Sequence, residues 1–179
     1  MTSFIALLRG VNVGGPRKVE MATLRKLCAD IGLGDVRSYV NSGNLVFTAD
    51  GKAQPHEKRI EAAIEKHYGF TVDVMVRSAK DWAGYIGGNP FPDLAEQHPA
   101  KLMIMVPKQP LGSDAVDILR AKAVGEERVE RVGEVIWLYF ADGAGRSKLA
   151  VTAPGKIPVT MRNWRTVLKL NEMAGAAPT

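Results

Sequence analysis

A single cysteine, Cys28, stands in a chain of 179 residues. It cannot close an internal disulfide, and a fold that does without disulfides suits a reducing compartment. Long apolar runs are also missing. The longest, Val135 to Ala141, has seven residues, whereas a bilayer-spanning helix needs about 20. The opening run, Phe4 to Leu8, is short and meets Arg9 at once, which does not read as a signal peptide. These absences lead to the expectation of a cytoplasmic protein.

Catalytic signatures are scarce too. There are three histidines, and His56 and His67 fall eleven positions apart on one expected helix. That is a poor spacing for a shared metal, and no H-E-x-x-H, C-x-x-C or G-x-S-x-G occurs. Cys28 lies on the apolar face of an expected helix, where a small thiol packs as a hydrophobe. No catalytic residue, metal ligand or cofactor is therefore assigned. What is present is an ordinary globular mixture, 46% hydrophobic and 24% charged. A chain of this length hides roughly 70% of its unfolded surface on folding.

Charge of one sign is lacking in two stretches. Met1 to Val19 holds Arg9, Arg17 and Lys18 and no acid. Gly143 to Asn171 holds Arg146, Lys148, Lys156, Arg162, Arg165 and Lys169 and again no acid. The net charge of +5 therefore comes from these two stretches near the ends of the chain, since the remaining residues are net acidic. If the ends fold together, they create a local positive potential suited to an anion.

Periodicity gives the elements. Ser3 to Arg9 reads as a buried strand, Gly10 to Gly15 as a glycine-rich loop, and Met21 to Ile31 as a helix. Val36 to Val40 and Leu45 to Thr48 form a hairpin about Asn41 to Asn44. A helix from Pro55 to His67 and a strand from Thr71 to Val76 complete βαββαβ, the ferredoxin-like arrangement. The second half reads as a short helix (Ser78 to Tyr85), a strand (Lys101 to Val106) and a helix (Asp114 to Ala123) capped by Ser113. Two strands follow, Glu127 to Val132 and Val135 to Phe140, then a helix over Thr160 to Glu172. This predicts an α+β protein of two linked ferredoxin-like halves, residues 1–78 and 79–179, the second an incomplete copy. Each half has an antiparallel sheet with helices packed on one face. The tail, Ala174 to Thr179, is expected to fray.

On a helical wheel beginning at Thr160, Arg162, Arg165 and Lys169 form a basic stripe beside Trp164. Arginine grips phosphate or carboxylate in two places, and an adjacent indole can stack. Phe47, and Trp137 with Tyr139, are the aromatics that an open sheet face could offer to RNA bases. The aromatic RNA-binding signature itself is absent.

Three segments resemble the domain-of-unknown-function 1697 family: I-A-L-L-R-G-V-N-V-G-G (Ile5 to Gly15), Y-V-N-S-G-N-L-V-F (Tyr39 to Phe47) and T-M-R-N-W-R-T-V-L-K-L (Thr160 to Leu170). The resemblance implies a bacterial α/β protein of two ferredoxin-like halves and implies no activity. The same segments concentrate polar and glycine residues in loops, where sites usually lie. The expectation is that they converge on one anion-binding cleft formed by the two chain ends. Arg9, Arg162 and Arg165 would supply charge. Gly14, Gly15 and Gly43 would supply backbone N–H groups. Asn12, Ser42, Asn44 and Asn163 would orient the ligand, with Trp164 at the edge. The expected function is a binding module for a nucleotide, RNA or another phosphate-bearing anion, with no membrane partner. The alternatives are an enzyme on a small anionic substrate, which would gain ground if Asp73 or Asp142 shared the cleft, and an interaction protein without a ligand.

Overall fold

A computed structural model describes residues 1–175; of the tail expected to fray, residues 176–179 lie outside the described residues. The chain forms two compact units, Met1–Gly84 together with the segment from Lys169 onward, and Tyr85–Leu168. The residues from Lys169 belong with the first unit.

The first unit is βαββαβ. Its elements are β1 (Thr2–Leu8), α1 (Met21–Asp30), β2 (Gly34–Tyr39), β3 (Asn44–Ala49), α2 (Ala53–Tyr68) and β4 (Val74–Ser78). The antiparallel sheet has the order β2-β3-β1-β4. Apolar residues at helical spacing drive the layering. Leu24 and Cys28 of α1 and Ile60 and Ile64 of α2 are buried against Phe4, Ala6, Leu8, Leu45 and Phe47. Each large side chain hidden there stabilises by roughly 1.5–3 kcal/mol relative to exposure. His56 belongs to this core, its ring 5.1 Å from Phe4 and 5.7 Å from Phe47.

Helix α3 (Ala79–Gly87) follows β4 directly, and α4 (Pro92–Gln97) follows it. The sequence reading missed α4, whose six residues are too short to show a period. The second unit then runs β5 (Leu102–Pro107), α5 (Ala115–Arg120), β6 (Arg128–Val132), β7 (Val135–Tyr139), two single 3-10 turns, β8 (Val159–Asn163) and the start of α6 (Trp164–Met173), whose residues from Lys169 count with the first unit. Its sheet order, β6-β7-β5-β8, repeats that of the first. The 3-10 turns Ala144–Arg146 and Leu149–Val151 stand where the first unit has α2. Asp114 precedes α5 without a side-chain cap bond, so Ser113 is not the cap that the sequence suggested.

One expectation is overturned. The segment from Thr160 to Asn163 is not helical: Val159–Asn163 forms β8, paired with β5, and α6 begins at Trp164. The cap is Asn163, not Thr160; Asn163 Oδ1 accepts the N–H of Thr166 at 3.0 Å. Val159 and Thr160 are β-branched and suit a strand, and β5 supplies the ladder. The equivalence with the first unit is residue for residue. Arg77 pairs with Ile5 and Ser78 with Phe4, as Arg162 pairs with Ile104 and Asn163 with Met103. Ser78 also caps its helix, its hydroxyl accepting the N–H of Asp81 at 3.1 Å.

Residues on both faces of the central strands are buried. In β1, Phe4, Ala6 and Leu8 face the helices, yet Ile5 and Leu7 between them are also hidden. In β7, Trp137 is fully buried and Tyr139 nearly so. The aromatics expected as candidates for stacking RNA bases on an open sheet face, Phe47, Trp137 and Tyr139, are therefore core residues. Among the described residues, no helix is long and apolar enough to cross a membrane.

Candidate functional site

The loop after β1 is pinned at its base and exposed at its tip. Val11 and Val19 are buried, while Val13 to Lys18 are exposed. Asn12 makes the closure. Its side-chain amide Nδ2 donates to the carbonyl of Val19 at 2.8 Å and to that of Asn41 at 2.7 Å. Its Oδ1 accepts the N–H of Val19 at 2.9 Å, and its own N–H donates to the carbonyl of Arg17. Asn12 has φ 57°, a left-handed conformation that asparagine tolerates. Gly14, at φ 83°, turns the chain at the tip, with open space around it.

The β2–β3 turn lies alongside. The N–H of Leu8 donates to the carbonyl of Gly43 at 2.8 Å. A Cβ on Gly43 would meet Leu8 Cβ at 2.7 Å and Val11 Cγ2 at 2.8 Å, so no larger residue fits. Asn44 is fully buried, and its Nδ2 donates to the carbonyl of Tyr39 and to the hydroxyl of Ser42, both at 3.0 Å. Seven of the expected site residues are thus gathered at one end of the first unit's sheet: Arg9, Asn12, Gly14, Gly15, Ser42, Gly43 and Asn44. Asn12, Gly43 and Asn44 spend the groups described above on holding the loops in place.

Two hollows flank the loop. One, of about 220 Å³, is lined by Arg9, Arg17, Glu61, Glu65, Thr71 and Asp73. The other, of about 380 Å³, is lined by Asn12, Gly14, Gly15, Lys18, Glu20 and Asn41. Arg9 pairs with Asp73 at 3.5 Å, both side chains part-exposed. Glu61 Oε1 accepts the N–H of Val74 at 2.8 Å. Among the described residues, the guanidinium of Arg17 and the ammonium of Lys18 have no acidic partner. The free positive charge of this loop therefore sits on Arg17 and Lys18, which belong to the acid-free stretch but are not among the expected site residues. Their position at the tip of an acid-free, glycine-rich loop was the signal that could have found them.

The other four expected residues lie in the second unit. Arg162 is on β8 rather than on a helix and is only 8% exposed. Its Nη1 donates to the hydroxyl of Thr160 and to the carbonyl of Met161, both at 2.8 Å. Burial pushes its guanidinium down from the usual value to about 10. Asn163 is the helix cap. Trp164 packs at 5.6 Å from the ring of Trp137. Arg165 is exposed, and Lys169 pairs with Glu172 at 2.7 Å. The expected basic stripe does not exist: one member is buried in a strand, one is exposed and one is ion-paired. Cys28 is buried, which pushes its thiol up to about 12 and leaves it inert as a nucleophile. No group of three His, Cys, Asp or Glu side chains is placed to hold a metal among the described residues.

The family model described as "Protein of unknown function (DUF1697)" matches residues 1–137. The chain belongs to this family. A solved structure of the same fold is that of the conserved bacterial protein SP0830 from Streptococcus pneumoniae. It shares 26% sequence identity with a TM-score of 0.77, over 98% of this chain and 99% of that one. No curated protein matches the sequence. The family relation carries the two-halved fold and no activity.

Proposed function

We propose that this DUF1697 chain is a cytoplasmic binding module for a phosphate-bearing ligand, most simply single-stranded RNA, held at the loop from Arg9 to Val19. One observation carries the reading: among the described residues Arg17 and Lys18 have no acidic partner, and they stand on an exposed glycine loop whose base is closed by Asn12. A cation without an internal partner is available to a phosphate, and a pinned loop loses little entropy on binding. Backbone N–H groups at Gly14 and Gly15 stand in the same exposed tip. Arg9, already engaged by Asp73, adds charge at the margin. Arg165 is a further exposed cation in the second unit.

The test is fluorescence anisotropy with mixed-sequence single-stranded RNA at two salt concentrations. Binding should weaken with salt, and Arg17→Gln with Lys18→Gln should reduce the log–log slope by about 1.4, at roughly 0.7 per lost phosphate contact. Absence of binding at low salt would sink the proposal. The enzyme alternative draws on Asp73, which lines a hollow with Arg9 and Arg17. Asp73 is part-exposed and ion-paired there, so the arrangement favours binding over proton transfer.

A further inference from the structure

Val40 opens the β2–β3 turn with φ 49°. A β-branched residue in the left-handed region is an outlier, because its branched side chain crowds the backbone. Among the described residues, the other non-glycine residues with positive φ are Asn12 and Asp35, types that tolerate it. Glycine or asparagine at position 40 would meet the turn without strain. Nor does packing compensate, since Val40 is 53% exposed. Val13, in the neighbouring loop, is 75% exposed. The two loops are tied together by the bond from Asn12 Nδ2 to the carbonyl of Asn41, and each valine adjoins one end of that bond in sequence. The hollow lined by Asn12, Gly14, Gly15, Lys18 and Asn41 lies at this junction.

Strain persists where the surrounding structure enforces it, and it gathers at functional sites. Here the strained side chain is apolar and faces water, and its turn is tied through Asn41 to the loop that carries Arg17 and Lys18. We propose that Val40 and Val13 form the apolar contact of the binding loop, receiving the base and sugar of single-stranded RNA while Arg17 and Lys18 hold its phosphates. This rests on the RNA-binding reading above and adds a contact that salt does not screen. Charge complementarity selects a polyanion, and the hollow lined by Asn12 and Asn41, the sequence neighbours of the two valines, suits one splayed nucleotide better than a flat lipid surface.

The experiment compares the full-length wild type with Val40→Asn, Val40→Gly and the Arg17→Gln/Lys18→Gln double variant. Each is melted thermally and titrated with mixed-sequence single-stranded RNA at several salt concentrations. Val40→Asn should raise Tm by about 2–8 °C, because the strain is released. It should also weaken RNA binding about fivefold at every salt concentration, the worth of one or two lost methyl contacts, with the salt slope unchanged. The double variant should lower the slope instead. Agreement between Val40→Asn and Val40→Gly separates loss of the methyls from an effect of the new amide. Wild-type affinity in both valine variants would overturn the inference and leave the electrostatic reading standing. An unchanged Tm in both would overturn it as well, by showing that no strain is held there. No RNA binding by the wild type would overturn both, and binding to phosphatidylserine vesicles in its place would assign the valines to a lipid surface.

Discussion

Glu57 Oε1 accepts the N–H of Val76 at 2.9 Å, so a helix carboxylate terminates the open edge of the first sheet. Glu61 does the same one turn later for Val74, at 2.8 Å. The spacing explains why. Four residues of helix rise about 6 Å, and two residues of strand span about 6.6 Å, so carboxylates at i and i+4 match alternate edge N–H groups. β4 is an edge strand, and edge N–H groups left open invite pairing with another chain.

Glu57 also faces Arg77 at 3.7 Å, with both side chains about nine-tenths buried. Removing it leaves a buried cation and a buried N–H short of an acceptor. Glu57→Ala is expected to destabilise by about 3–5 kcal/mol, and Glu61→Ala, at a wetter position, by about 1 kcal/mol. Urea denaturation decides. Equal losses in the two variants would show that the ion pair adds nothing.

Asn12→Ala removes three side-chain bonds and puts alanine at a positive φ. The expected loss is about 2–4 kcal/mol, at about 1 kcal/mol per bond plus the backbone cost. Amide exchange over Val13 to Lys18 should accelerate more than exchange over β1. A variant as stable as the wild type, with unchanged exchange, would mean that the loop is held by other groups.

Gly43 and Gly14 share a positive φ but not their surroundings. Gly43→Ala would drive a Cβ into Leu8 and Val11, costing about 2–4 kcal/mol from overpacking and strain together. Gly14→Ala meets open space and should cost about 1 kcal/mol from strain alone. Thermal melts of the two variants test the ordering, and a reversed order would contradict the packing described for the turn.

Cys28 links stability to alkaline pH. Its thiol is pushed up by burial from 9.0 to about 12. Above about pH 9 the unfolded chain releases a proton that the native chain keeps, so stability falls as pH rises, by up to about 1.4 kcal/mol per unit. Cys28→Ala lacks this loss. The stability gap between wild type and variant, measured in urea, should narrow between about pH 8 and about pH 10.5. A gap independent of pH would show that the thiol ionises freely in the native state.

The amino-acid sequence by itself determined the two repeated halves and the placement of most strands and helices. Those follow from local patterns: an apolar strand before a glycine loop, Leu24 and Cys28 at helical spacing, and a turn at Asn41 to Asn44. It also marked the exposed loop, because the lack of acid and the wealth of glycine there are visible in one dimension. Only the tertiary structure decided what each polar group in that loop does. Asn12 reaches Val19 and Asn41, Gly43 is pressed against Leu8 and Val11, and Arg9 finds Asp73. Thr160 to Asn163 reads as the start of a helix until β5 offers it a ladder and buries Arg162. Partners distant in sequence set these outcomes. A free cation, a paired one and a buried one look alike until the chain has closed around them.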